Sequence, residues 1–232
     1  MDFIERNLFI KLRAENFSTG EKQEPMTNFK KQKLNQFVKN IDSLPAGELK
    51  MNNPFLNKRL SNIQTEENQA IDTSLESLYL LRNIVINANA SLNGGVSLRG
   101  IIQLGQFLRT RGNKVDFLKL DKWLNQLHLR RMAQLQGSIL IKFFNFDADE
   151  LPFIHHIEGG ATNITLQSLS FNYGDSKDEI EFKQSKFGIV KPSSASLRKN
   201  IRLSMRFFNY APIETLSYFF NNFAHSLSEI EE

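Results

Sequence analysis

Several groups of side chains in the sequence are of types that could do chemistry. His155-His156 stands two residues before Glu158, and two imidazoles with a carboxylate can ligate a metal. Neighbouring residues point apart on a strand or a helix, so this pair cannot converge without a special loop. His128 and His225 are isolated, and the chain has no cysteine. The pair is therefore read as surface histidines. Asp147, Asp149 and Glu150 form an acidic knot before Leu151-Pro152, and paired carboxylates can hold Mg²⁺. An Asp-x-Asp that serves a triphosphate projects from a strand beside a glycine-rich turn. Here the acids follow a helix end without that turn, so they read as loop and capping residues. Asn93-Gly94-Gly95 precedes Val96-Ser97-Leu98-Arg99, and a helix N-terminus can receive a phosphate. The full phosphate-loop and dinucleotide patterns are absent. The glycines read as a helix–helix turn, and Arg99 stays as a candidate for anion or partner binding. Arg198, Arg202 and Arg206 fall at i, i+4 and i+8 with no acid beside them, and Phe207 follows. Like charges at this spacing repel unless something binds them. They complete the candidate set with Phe207. No catalytic residue and no metal ligand is assigned.

Composition narrows the classes. The chain has 232 residues, 41% hydrophobic and 23% charged, which suits a folded domain with a real core. Without cysteine there is no disulfide framework, thiolate metal site or cysteine nucleophile. No stretch approaches the roughly 20 apolar residues of a membrane span. The charged opening MDFIERNLFIKLRAENF does not read as a secretory signal, so the expected address is cytoplasmic, with no membrane contact. The net charge of +4 is too small to argue nucleic-acid binding. Basic residues do cluster between Arg109 and Lys142, where only Asp116 and Asp121 oppose them. A solvated helix face or a surface for phosphate or an acidic partner would both fit.

The elements that would position these residues are mostly helices. Residues 1–25 read as an arm or short helix, and residues 26–232 as the helical domain. Thr27 to Leu44 carries apolar residues at helical spacing, stopped by Pro45-Ala46-Gly47. Asn52-Asn53-Pro54 starts the next helix, with Asn as cap and Pro in the first turn. A helix with a broad apolar stripe from Leu75 to Ile86 should be central. Val96–Arg111, a short helix capped by Asp116, and Arg130–Asn145 follow. Gly159 to Pro192 shows no helical period. Ile164, Leu166, Leu169 and Phe171 lie near alternation, so residues 161–184 are read as a small β-hairpin or a loop within a 161–192 insertion. A helix from Ser193 or Ser194 to about Phe208 and a last one from Ala211-Pro212, with Leu216, Phe219, Phe220, Phe223 and Leu227 inward, close the chain. The fold class is mainly α, a multi-helix bundle.

The order of short motifs carries a resemblance. Asn52-Asn53-Pro54-Phe55-Leu56-Asn57-Lys58-Arg59-Leu60, then Leu78-Tyr79-Leu80-Leu81, then Gly95-Val96-Ser97-Leu98-Arg99, then Glu150-Leu151-Pro152-Phe153, and finally Arg206-Phe207-Phe208-x-Tyr210-Ala211-Pro212-x-Glu214 follow one another. Together they resemble the helical C-terminal part of an uncharacterised nucleotidyltransferase-like family common in Bacteroidetes. Members carry a polymerase-β-like catalytic core before this region. The 47 residues available here hold no Asp-x-Asp and no glycine-serine turn, and Glu48 has no acidic companions. Where the family's G-[IV]-G-L-R-Q-x-x-D-W motif, which Gly95–Arg99 resembles, carries aspartate and tryptophan, this chain has Gln103 and Leu104. The resemblance thus implies the scaffold without the catalysis.

The expected function is a non-catalytic binding or adaptor protein with a protein partner, using Arg99, the Arg198/Arg202/Arg206 ridge and Phe207. No cofactor is expected. Two other classes stay open. One is a split or minimal transferase subunit, which would need Mg²⁺, a nucleotide and a partner catalytic chain. The other is a nucleic-acid-associated helical module.

Overall fold

The computed structural model describes residues 1–43, 47–70, 75–178 and 205–228. Nine α-helices lie among the described residues: α1 (Phe3–Phe17), α2 (Asn28–Ser43), α3 (Pro54–Gln69), α4 (Glu76–Gly94), α5 (Leu98–Arg111), α6 (Phe117–Gln126), α7 (Arg130–Phe144), α8 (Ala161–Asp178) and α9 (Pro212–Ser228). The mainly α class follows directly.

Local chemistry sets the helix ends. Asp2 and Glu5 form a reciprocal capping box at α1. The Asn53 side chain accepts from the N–H groups of Phe55 and Leu56, and Pro54 takes the first position of α3. Ser97 caps α5 through the Gly100 N–H, and Asp116 caps α6 through the Lys119 N–H. Asn145 ends α7 in the left-handed region at φ 54°.

Helices α4 and α7 form the centre. Every residue from Met132 to Leu140 of α7 is buried, as is every residue from Asn87 to Leu92 of α4. Such helices must satisfy whatever polar groups they carry inward. Asn87 Nδ2 donates to Gly100 O and to Gln136 Oε1, both at 3.2 Å, and Gln136 Nε2 donates to Ile84 O at 3.0 Å. This seam ties α4, α5 and α7 together.

The N-terminal segment is a long helix built into that core. Leu8 and Phe9 are fully buried, and Phe9 packs on Phe143 at 4.2 Å between ring centroids. Phe17 reaches Phe144 at 5.6 Å and Phe146 at 5.4 Å. Burying a Phe side chain contributes about 1.5–3 kcal/mol, so these rings outweigh any exposed ion pair nearby.

Two expectations change. Residues 161–178 form α8, not a hairpin, and residues 179–192 lie outside the described residues. The inner face of α8 is Ala161, Thr165, Ser168 and Leu169, small and polar enough to hide its period from a hydrophobicity reading. The last helix is also rotated from its expected setting. It buries Glu214, Thr215 and Tyr218, while Leu216 (44%), Phe220 (62%) and Phe223 (49%) face outward.

Candidate interaction groove

The chemistry-bearing residues mostly find partners within the chain. His155 and His156 are exposed on the loop between α7 and α8, and His156 Nε2 lies 3.2 Å from Glu158 Oε1. Among the described residues no group of three histidines or acids could hold a metal. Asp147 and Glu150 form a capping box on a 3₁₀ turn. Glu150 also accepts from Arg109 Nε at 2.9 Å. Burial pushes the Glu150 carboxyl up, but the bonds from Arg109 and the Asp147 N–H outweigh it and hold it below the ordinary range.

Four of the eight basic residues from Arg109 to Lys142 are paired in the same way. Arg109 pairs with Glu150, Lys119 with Glu67, Arg130 with Asp121 and Arg131 with Glu158. Arg109 also lies over the Phe146 ring at 3.9 Å. The exposed pairs, Arg109–Glu150 and Arg130–Asp121, add little stability, about 0.2–1 kcal/mol each, whereas Lys119 and Arg131 serve the buried carboxylates of Glu67 and Glu158. Together the four pairs engage half of the cations of this stretch with acids of the same chain rather than with a phosphate backbone.

The candidate set is scattered. Phe207 is fully buried, so its ring belongs to the core and cannot meet a partner. Arg206 is half-buried in the turn spanning 206–210, so the predicted helix does not run to Phe208. Arg198 and Arg202 lie outside the described residues. Arg99 is exposed in the first turn of α5 and makes no hydrogen bond or ion pair among the described residues.

Helix α5 gives Arg99 its setting. Leu98, Ile101, Ile102, Leu104, Gly105, Phe107 and Leu108 turn inward. Gly105 admits the close approach of α7, since a Cβ there would meet Leu140 at 2.8 Å and Phe146 at 2.9 Å. Arg99, Gln103, Gln106 and Thr110 are left on the outer face, one ridge at helical spacing. A hollow lies on each side of the ridge. One of about 480 Å³ has Leu12, Val38, Ile41 and Ile102 as floor and Glu15, Asn16 and Arg99 as rim. The other, of about 970 Å³, is lined by Leu75, Glu76, Tyr79, Phe107, Thr110 and Arg111. Gln103 and Gln106 border both. Tyr79 is 52% exposed and packs on Phe107 at 4.7 Å. An apolar floor, an amide rim and an unpaired cation form a surface able to hold an amphipathic segment.

The sequence reading missed a third concavity, away from the α5 ridge. A cavity of about 360 Å³ opens where α4 ends and α5 begins, and its walls include Glu48, Lys50, Asn52, Asn89, Asn93 and Ser97. Asn89 builds one wall: its Oδ1 accepts from the Glu48 N–H at 3.0 Å and its Nδ2 donates to Lys50 O at 3.3 Å. Gly47 lies so close to α4 that a Cβ would meet Ile86 O at 2.0 Å. The available signal was the asparagine-rich end of α4 running into Gly94-Gly95.

Beneath it, Glu214 accepts from the N–H groups of Asn52 (2.6 Å) and Asn53 (3.1 Å). Burial holds the Glu214 carboxyl above its ordinary range, only partly offset by those bonds. The Asn52 Nδ2 makes no hydrogen bond of good geometry, although it lies near enough to Glu214 to lower that group slightly. Among the described residues no helix is long and apolar enough to cross a membrane. Comparison with protein-family models, with curated proteins and with solved structures finds no match for the chain.

Proposed function

We propose that the chain is a non-catalytic adaptor that receives a protein partner along the outer face of α5. The observation that carries this reading is the unpaired Arg99 on the rim of an apolar-floored hollow, on a ridge shared with a second hollow. The complementary partner is an amphipathic segment that fills the floor with apolar side chains and offers a carboxylate to Arg99. We further propose that the scaffold corresponds to the helical part of the nucleotidyltransferase-like family. In support, the segments that carry the resemblance act as joints. Glu214 of the last holds Asn52 and Asn53 of the first, and Glu150 pairs with Arg109 of α5. Polar residues spent in joints are not available to bind Mg²⁺ or to move protons.

The test has two arms. The purified chain is incubated with Mg²⁺ and labelled nucleoside triphosphates, and separately used as bait in native-cell extract. The reading expects no nucleotidyl transfer, and a captured protein that is lost with Arg99→Glu. Transfer by the chain alone overturns it. So does transfer restored by a co-purifying catalytic chain, which would make this a split-enzyme subunit. Capture of nucleic acid with steep salt dependence overturns it in favour of a nucleic-acid module.

A further inference from the structure

We propose that the outer face of α9 is a dimer interface, a helical seam that closes on a second copy of this chain. Helix α9 is seated with its polarity reversed. Glu214, Thr215 and Tyr218 turn to the core, while Leu216, Phe220 and Phe223 turn outward. The outward residues keep a strict order. Ile213, Leu216, Phe220, Phe223 and, in the sequence, Leu227 follow at spacings of three, four, three and four. That is the seven-residue repeat with apolar first and fourth positions, the spacing by which one helix packs along another. A helix that only covers its own core turns such a stripe inward. Phe219 supports the seam from the side, its ring nearly parallel to Phe223 at 6.2 Å and edge-on to Phe220 at 5.6 Å. Rings that brace one another lose less freedom when a partner arrives.

Charge and area select a second copy as the occupant. The positions flanking the seam are Ser217, Phe219, Ala224 and Ser226, with no charge among them. Charges at these positions choose partners in paired helices. Their absence selects no acidic or basic partner and repels no identical seam. Helix α9 also carries no Lys or Arg, the residues by which an amphipathic helix holds a lipid surface. The area fits a weak dimer. Phe55, 80% exposed, opens α3 two residues after Asn53, whose side chain donates to Ser217 Oγ at the flank of the seam. With Leu216, Phe220 and Phe223 it exposes roughly 450 Å² of apolar surface, taking about 200 Å² for a whole Phe. Apolar atoms make up about 65% of a homodimer interface. Two such faces meeting about a two-fold axis would bury on the order of 1,300 Å² in all, at the low end of specific interfaces. The dimer is therefore reversible and not obligate. None of these residues lines either hollow beside the α5 ridge, so the seam is distinct from the Arg99 groove.

The test is sedimentation velocity of the full chain from about 1 to about 300 µM, a range that spans weak association. The proposal expects single chains at the low end and dimers at the high end, with a dissociation constant on the order of 10–100 µM. Leu216→Glu and Phe220→Glu each set a charge on the seam of both copies. Each should raise that constant at least about tenfold, with melting unchanged where the chain is single. Phe220→Leu keeps the seam apolar and should stay within about threefold. Phe220→Ser, which removes the ring without adding charge, gives the same reading as Phe220→Glu should a Glu variant unfold. Phe29 is 74% exposed on α2, off the seam, so Phe29→Glu should dimerise as the wild type does. Single chains at every concentration overturn the proposal. If those chains bind phosphatidylcholine vesicles, the face belongs to a lipid surface. If Phe220→Glu lowers their melting, another segment of the same chain covers it. Dimers that survive both Glu variants, or that Phe29→Glu also abolishes, overturn it as well. None of these results bears on capture of a partner through Arg99.

Discussion

The Glu214 carboxylate holds the Asn52 N–H at 2.6 Å and the Asn53 N–H at 3.1 Å, across 161 residues of sequence in the second case. One side chain of α9 thereby fixes the turn that opens α3. Asn53 Nδ2 to Ser217 Oγ at 3.1 Å and Asn221 Nδ2 to Asn52 O at 3.1 Å complete the clasp. Glu214→Ala leaves two N–H groups without an acceptor. The expected loss is about 2–4 kcal/mol by urea unfolding, since each orphaned donor costs about 1–3 kcal/mol and some solvent will enter. Glu214→Gln keeps one acceptor oxygen and should lose about half as much.

Glu214 in the clasp and Glu150 beside Arg109 predict opposite pH dependences. Burial raises the folded pKa of Glu214, so the folded state holds that proton more tightly than the unfolded chain does. Its contribution is greatest below the ordinary carboxylate value and is lost as pH rises through the raised folded value. Glu150 is lowered by the Arg109 and Asp147 bonds despite its burial, and Glu21 is lowered chiefly by Arg13. Their contributions are present above the ordinary value and are lost as pH falls through the lowered ones. The stability difference between wild type and Glu214→Gln should therefore shrink as pH rises. The difference between wild type and Glu150→Gln should shrink as pH falls. Denaturant melts at a series of pH values check both signs.

Close backbone approach makes two glycines critical. A Cβ on Gly47 would meet Ile86 O at 2.0 Å and Ala90 N at 2.7 Å, both backbone atoms that cannot swing aside. A Cβ on Gly100 would meet Asn87 Oδ1 at 1.9 Å and break into the buried Asn87–Gln136 seam. Gly47→Ala and Gly100→Ala should each cost about 2 kcal/mol or more, whereas Gly94→Ala should be within about 0.5 kcal/mol, because its Cβ meets open space. Chemical denaturation of the three variants separates close packing from a general intolerance of side chains.

Phe207 and Arg99 should behave as opposites. Phe207 is fully buried, so Phe207→Ala should destabilise by about 3–5 kcal/mol. Arg99 is exposed and touches no partner among the described residues, so Arg99→Glu should change stability by less than about 0.5 kcal/mol. Thermal melts check both, and only the Arg99 variant should lose partner capture while fully folded.

Two helix starts were legible in the sequence, because caps are local chemistry: Asn53 with Pro54, and Asp116, stand where the residue types place them, whereas α5 was expected from Val96 and begins after its cap Ser97. The inner faces of α5 and α7 were legible too, since their apolar spacing reports burial directly; α4 was read correctly as central, but Leu75 and Tyr79 of its expected stripe are exposed while Leu80 and Ile84 are fully buried. Helices α8 and α9 were not. Their inner faces carry Thr165, Ser168 and Thr215, whose hydroxyls donate back to Ala161 O, Ile164 O and Ala211 O four residues earlier. Such residues satisfy themselves within the helix and can be buried cheaply, so the hydrophobic period vanishes. Phe220 and Phe223 were expected inward on hydrophobicity alone, yet Glu214 and Thr215 hold the inner face of α9. Of the candidate site, Arg99 could be placed because α5 was read correctly. The cavity could not, because it joins residues 47–52 to residues 89–97 through tertiary contacts that no spacing reveals.

The adaptor reading is tested most directly by photo-crosslinking in native cells from an exposed position on the α5 ridge, Gln103, which borders both hollows. The account predicts a discrete protein adduct that disappears when Arg99→Glu is added, with melting unchanged. An adduct of equal yield in the Arg99→Glu background, or no adduct from Gln103 at all, would contradict it.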